Sequence, residues 1–441
     1  MIRFERDQQA AIEWVKECGS RGLSHSRAIP LREMEKWAVV SGQLRHQSGR
    51  FFSIGGFEYT NSTRAFAQPL INQPEIGTLG FLLRSAEDGL EFLMQAKYEP
   101  GNVNGVQIAP TVQATRSNLD RVHGGGHIPF AEYFADQEVP TEFDILQTEE
   151  ADRFFRKRNR NVARVIDRCD HNQSYRWCGI ETIKALLRLS HIVNADARSG
   201  LACCDWKAFF RPSGHPHFFL DCVDLTRLLW ESLETTPEKA ELGERVGRIR
   251  AGFGQVKEVP LDALPGWHMD ENGCHPETEG QFSVKYYTVT AESREVRDWS
   301  QPLLTSHGVG LSVLALSAQS GVLKLFVRLR HAIGVWNGVE VAPSYFRSPG
   351  ELWSPREGSD CRLFRAIASG RLLLEAENAE EGSRFYKDVI LFRVVMVDAA
   401  NMEDAPDGIW ITLGTAKEVV DQGQLASNEL RSALSFLIPL L

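Results

Sequence analysis

Apolar positions along this chain change period in a set order, and the order occurs twice. Gln8–Cys18 carries apolar residues at helical spacing. The runs 51–60, 76–85 and 90–99 then have the length and β-branched, aromatic content of strands. A helical pattern returns at 181–190. The series restarts with a helix at 222–234, strands at 281–290, 309–318 and 322–331, and a closing helix at 415–424. Each series predicts an α+β unit, a mixed or antiparallel sheet with flanking helices.

The two series also match residue for residue. Gln68-Pro-Leu aligns with Gln301-Pro-Leu, and the segment 101–110 with 334–343, both at an offset of 233. Residues 68–110 share 12 identities with their counterparts in 43 positions, where chance gives about two or three. Trp177, Thr182, Lys184, Arg198, Ser199 and Leu201 find Trp410, Thr415, Lys417, Arg431, Ser432 and Leu434 at the same offset. The chain therefore reads as two tandem repeated domains, residues 1–215 and 216–441. Such domains pack through equivalent faces, with a ligand cleft in each sheet or between them.

Composition adds exclusions. The 441 residues suit two domains, and 43% hydrophobic with 24% charged is ordinary for a globular chain. A net charge of −9 argues against a nucleic-acid groove; the run Arg153, Arg156, Lys157, Arg158, Arg160 reads as a solvated face that can also meet a phosphate. No apolar run approaches the roughly 18 residues of a membrane span, and the charged first helix has no signal character. The eight cysteines form no CxxC pair and read as reduced thiols, so a cytoplasmic location is expected.

The densest polar segment is 95–107. Gln95, Lys97 and Glu99 alternate on a strand and so share a face, which places a cation beside a base. Asn102 and Asn104, in the turn after Pro100-Gly101, offer amide donors. The next strand-like run, 108–118, presents Gln113, Arg116 and Asn118; Arg116 has the fork to hold a diphosphate bidentately. Arg121 and His123 precede a triple glycine able to approach an anion. His46 lies near Arg45 and Arg50 just before a strand, a candidate proton shuttle. In the second domain Lys97, Tyr98 and Glu99 become Arg330, His331 and Ala332, while Asn104 is kept as Asn337. That domain lacks the carboxylate, and Arg330, Asn337 and Arg347 remain as its ligand candidates.

Four stretches carry a resemblance: 46–54, 73–77, 95–105 and 110–118, with 193–199 also fitting. Through them the chain resembles the NDP-hexose 2,3-dehydratases of deoxysugar biosynthesis over nearly its whole length. The resemblance implies two Nudix-like domains per chain, a homodimer, and a nucleotide-linked 4-keto-6-deoxyhexose as substrate, usually dTDP-4-keto-6-deoxy-D-glucose. A Nudix box is absent, so metal-dependent diphosphate hydrolysis is not expected.

The implied reaction is a β-elimination. The C3 proton is acidic because it is α to the C4 ketone, and the C2 hydroxyl leaves with acid help. The enol then becomes a 3,4-diketo-2,6-dideoxy sugar, which a downstream 3-ketoreductase would consume. No net electron transfer occurs, so no nicotinamide, metal or other cofactor is required. Glu99 is assigned as base or acid, Lys97 as the group stabilising the enolate, and His46 or His123 as the second proton-transfer group. Gln95, Asn102, Asn104, Gln113 and Asn118 orient the substrate, and Arg50, Arg116 and Arg121 are diphosphate candidates. A sugar-nucleotide epimerase or isomerase using the same enolate, and a non-catalytic sugar-nucleotide binding module, are the competing readings.

Overall fold

The computed structural model describes residues 2–87, 89–119, 126–136, 138–210, 219–220, 223–278, 282–292, 296–351, 359–402 and 407–441. Two seven-stranded mixed sheets dominate it. In the first, the order is Thr141–Thr148, Arg158–Val165, Gly77–Ala86, Gly89–Tyr98, Tyr175–Gly179. Gly77–Ala86 runs parallel to Arg158–Val165 and antiparallel to Gly89–Tyr98. Its first seven residues are all buried, as a central strand covered on both faces requires. In the second sheet Arg371–Ala379, Val389–Met396, Val309–Gln319 and Val322–Arg330 follow one another, again with one parallel pair, Val309–Gln319 with Val389–Met396. The six strand runs anticipated from periodicity lie on strands of these sheets or of the smaller ones below.

The strand-like run 108–118 is different from its expected form. It divides at Pro110-Thr111 into the end of Val106–Ala109 and the strand Val112–Ala114, then turns into a short helix, Arg116–Leu119. The division has a physical cause. Gly77–Ala86 and Gly89–Tyr98 pair with each other only from Leu82↔Leu93 to Ala86↔Gly89. Beyond that point they diverge, and each takes its own partner: Val106–Ala109 pairs with Gly89–Tyr98, and Val112–Ala114 with Gly77–Ala86. Thr111 stands in the fork. Its fully buried hydroxyl accepts from Leu82 N at 2.9 Å and donates to Leu93 O at 2.5 Å, filling the last rung of the ladder. Ser344 does the same in the second sheet, between Ala315 N and Phe326 O.

Two five-stranded sheets are built by exchange. Ser24–Ala28, near the start of the chain, pairs with Ser283–Ala291. Gln255–Val259, from the second half of the chain, pairs with Ser53–Thr60. The exchange is backed by two close approaches. Gly101 N donates to Gly382 O at 2.7 Å, and a Cβ on Gly101 would stand 1.6 Å from Phe385 O. Gly334 N donates to Ala151 O at 2.8 Å, and its Cβ would stand 1.8 Å from Phe154 O. Both glycines are needed for contact between backbones.

The helices anticipated at both ends of each half are present: Ile2–Ser20, Ile180–Leu187, Leu225–Leu233 and Leu413–Asp421. Of the described helices that were not anticipated, three bear on the packing. Lys239–Ala251 is largely polar, with only Leu242 and Val246 buried. Ala195–Leu201 and Asn428–Ser435 are short and buried, and they pack on each other. Arg431 lies at that contact, donating to Ser199 Oγ at 2.8 Å and to the carbonyls of Ala426 and Thr148. One apolar core runs from Trp14, Phe81 and Phe92 through to Leu314, Phe392 and Phe436. Cys18, Cys169, Cys178, Cys203, Cys204 and Cys274 are free thiols.

Two substitutions test these constraints. Thr111→Val keeps the volume but strands a buried N–H and a buried C=O, each worth about 1–3 kcal/mol. It should lower stability by about 2–4 kcal/mol in urea denaturation, while Thr111→Ser should lose much less; an unchanged Thr111→Val midpoint would refute the role of the hydroxyl. Gly101→Ala should abolish the soluble folded protein, because backbone rather than a flexible side chain blocks the methyl.

Candidate active site

The fork in the first sheet opens into a cavity of about 200 Å³. Lys97 and Glu99 enter it from the end of Gly89–Tyr98, and Gln113 from Val112–Ala114. Trp37, His46 and Phe51 face them from the small sheet, and Trp299, Gln301, Glu381 and Arg384 close it from the second half of the chain.

Glu99 is held by a network of fixed polarity. Asn194 caps the helix Ala195–Leu201, its Oδ1 accepting from Ala197 N at 2.8 Å. Its Nδ2 must therefore face inward, where it reaches Glu99 Oε2 at 3.2 Å and Gln113 Oε1 at 3.0 Å. That leaves Gln113 Nε2 to donate to Glu99 Oε1 at 2.8 Å, and Asn102 Nδ2 adds a contact to Oε2 at 3.5 Å. Both carboxylate oxygens are acceptors, and Glu99 is 1% exposed. Lys97 spans the fork, its Nζ donating to Gln113 O at 2.5 Å.

Beside this pair sit three more carboxyl groups. Oxygens of Glu149, Asp196 and Glu381 lie within 4.8 Å of one another. Burial pushes the Asp196 carboxyl well above the usual carboxylate range; Glu381, Glu149 and Glu99 push the same way and Lys97 opposes them. Burial and then Glu381 raise Glu149 to about 7, against Arg431, Lys157 and a hydrogen bond from Asn159. Burial draws Lys157 down to about 8, against Glu149 and Glu381. One divalent cation could span such oxygens, but Lys97, Lys157 and Arg384 already face them. The group reads as a cluster that holds protons, with its countercharge supplied by the protein.

The opposite wall is aromatic. Trp37 meets His46 edge-on at 5.4 Å between centroids and Phe51 at 5.8 Å. Trp37 Nε1 donates to Ser300 O at 2.7 Å, which ties this wall to the second half. Ser48 N donates to His46 Nδ1 at 3.2 Å, so the neutral ring carries its proton on Nε2. Arg384 donates to Gln73 Oε1 at 3.1 Å and lies over the Phe52 ring at 4.3 Å.

The structure thus brings Lys97, Glu99, His46, Gln113 and Asn118 to one cavity, with Asn102 directly behind Glu99. Gln95, Arg50 and Arg116 lie outside its walls, the two arginines exposed. Asn104 is exposed and donates to His191 O. Arg121 and His123 fall outside the described residues. In the second half Arg330 occupies the position matching Lys97 and is enclosed by Glu340 at 2.7 Å, Glu429 at 2.8 Å and Asp152 at 3.2 Å, with the Phe346 ring 5.2 Å away. Asn337 is exposed, and Arg347 donates to the carbonyls of Glu351 and Val309.

Sequence reasoning missed Asp196, Glu381 and Arg384, and read Lys157 as part of a solvated run. Asp196 sits inside the 193–199 stretch that helped carry the resemblance. Glu381 and Arg384 could have been found only as counterparts of Glu150 and Arg153, at an offset of 231.

Comparison with known proteins gives the family of the chain. The family model described as NDP-hexose 2,3-dehydratase matches residues 8–204 and again 248–437. A dTDP-4-dehydro-6-deoxy-alpha-D-glucopyranose 2,3-dehydratase of Amycolatopsis orientalis is 31% identical over 438 residues, covering 96% of this chain and 88% of the relative. Proteins of the same name from Streptomyces violaceoruber and Saccharopolyspora spinosa are 31% and 29% identical, each over 96% of this chain and over 95% and 90% of their own lengths. With both halves matched and the alignments running nearly end to end, the chain belongs to the NDP-hexose 2,3-dehydratase family.

Proposed function

We propose that the protein is a hydro-lyase acting on dTDP-4-keto-6-deoxy-D-glucose, removing the C2 hydroxyl as water to leave dTDP-3,4-diketo-2,6-dideoxy-D-glucose. The observation that carries this reading is that Lys97 and Glu99 line one cavity in a chain from this family. Glu99, with both oxygens accepting, is the base that removes the C3 proton. Lys97 receives the charge that develops on the C4 oxygen. Gln113, Asn118 and Arg384 orient the sugar nucleotide. Across the cavity, His46 relays the proton that leaves O3 when the enol becomes the diketone.

The wider organisation is proposed in the same way. The two large sheets are tandem copies of one Nudix-like unit, a reading supported by their common pairing order and the shared fork hydroxyl. The first copy, residues 1–215, carries the site. The second, 216–441, closes it, while its own corresponding position is taken up by the Arg330 ion cluster. The protein acts as a cytoplasmic homodimer and hands its labile product to a 3-ketoreductase. No described helix is long and apolar enough to cross a membrane.

Mass spectrometry tests the reaction. Purified protein is mixed with dTDP-4-keto-6-deoxyglucose without added metal or nicotinamide, and the product is trapped with borodeuteride. The expected product lacks one water and carries two deuterium labels. A product that retains all its oxygen would reject dehydration in favour of epimerisation or mere binding. Glu99→Gln should lower turnover by about 10²–10⁴-fold, the usual effect of losing one acid–base group. Near-normal turnover in that variant would remove Glu99 from the chemistry.

A further inference from the structure

We propose that Asp196 is the general acid that protonates the departing 2-hydroxyl, and that Glu381, reaching in from the second half of the chain, keeps the proton on it. This assignment rests on the dehydratase reading and extends it to the group that reading leaves open.

Three carboxyl groups within 4.8 Å of one another cannot all be ionised in a buried site. The hydrogen bonds indicate which one holds the proton. Glu149 Oε1 accepts from Asn159 Nδ2 at 2.9 Å, and Glu381 Oε1 accepts from the Ser383 hydroxyl. Each of those two already has one oxygen accepting, which favours its ionised form over that of Asp196. Asp196 is 5% exposed, forms part of the cavity wall, and accepts no hydrogen bond from any described residue. The proton therefore rests best on Asp196, where a substrate oxygen can receive it. The groups acting on Asp196 agree: Glu381 from the second half, Glu149 beyond Thr141–Thr148 and Glu99 all favour its neutral form, outweighing the opposing charges of Lys97 and Arg384. Glu99, surrounded by amide donors, is suited to the opposite role.

The protons balance. Glu99 takes the C3 proton as electrons move to the C4 oxygen beside Lys97. When they return, a C2–C3 double bond forms, the C2–O bond breaks, and the Asp196 proton goes to the leaving oxygen, which departs as water. On ketonisation C2 gains the proton held by Glu99. The proton leaving O3, relayed by His46, restores Asp196.

The two proton transfers can be read separately in D₂O. Wild-type protein, Asp196→Asn and Glu381→Gln are incubated with dTDP-4-keto-6-deoxyglucose, and both water loss and deuterium at C3 of recovered substrate are measured. Asp196→Asn should lower water loss by about 10²–10⁴-fold while still labelling C3, because the base is intact and the enolate returns to ketone. Glu381→Gln, a positioning variant, should remain active but lose activity at lower pH than wild type. A general acid works only while protonated, and without the Glu381 charge Asp196 gives up its proton sooner. Calorimetric binding of dTDP reports folding of each variant, and the Glu381→Gln pH profile carries the test alone if Asp196→Asn does not fold. Full water loss by Asp196→Asn, loss of C3 labelling together with water loss in a variant that binds dTDP, or an unmoved Glu381→Gln profile would each overturn this assignment alone. Wild-type protein that neither labels nor dehydrates would overturn the dehydratase reading, and this assignment with it.

Discussion

A single hydroxyl, that of Thr111, determines where this protein can have a site. Two central strands ordinarily stay paired to their ends, because every backbone N–H and C=O that leaves the ladder must find another partner. Here Gly77–Ala86 and Gly89–Tyr98 separate midway, and Thr111 occupies the last rung between Leu82 N and Leu93 O. The divergent ends are satisfied by two short strands that lie on opposite sides of the break. The gap so created admits side chains from the end of Gly89–Tyr98 and from Val112–Ala114, which is how Lys97, Glu99 and Gln113 come to share one polar space inside a buried sheet.

The same fork is used differently in the second half. Ser344 fills the rung there. The space beyond it holds the Arg330 guanidinium among Glu340, Glu429 and Asp152. A guanidinium enclosed by three carboxylates has its countercharge in place. What the second half contributes to the cavity of the first is one of its walls. Its residues 381–384 are pressed against the first half by the Gly101 contact, and Ser300 and Gln301 hold the aromatic side and the Ser383 turn. Because the small sheets are built from exchanged strands, neither half completes its own structure without the other.

This explains what could and could not be read from the residues alone. Strands were legible because their burial imposes a period, and Lys97 and Glu99 were legible because polar side chains alternating on a strand face make poor core. The fork was not, because Pro110-Thr111 interrupts a run whose residues otherwise suit one strand; only the pairing partners reveal the break. Helix Ala195–Leu201 is too short to show helical periodicity. Arg116 looked like a diphosphate ligand on a strand, but the chain turns into a helix there and leaves it exposed. Glu381 and Arg384 belong to a distant segment, and nothing local in their neighbourhood marks them as cavity residues.

Elimination of a hydroxyl β to a ketone requires a base and an acid within one small space, and this cavity offers carboxyl groups for both. Identical chemistry must then be divided by surroundings alone. The start of helix Ala195–Leu201 provides that division within three residues. Asn194, oriented by its capping bond to Ala197 N, turns an N–H toward Glu99 and thereby stabilises negative charge there. Asp196, two positions later, faces the carboxyl groups of Glu149 and Glu381, where a second negative charge is disfavoured. One carboxyl is surrounded by donors and the other by acids. Glu381 comes from the second half of the chain, so this asymmetry between the two carboxyl groups exists only once the two halves have docked.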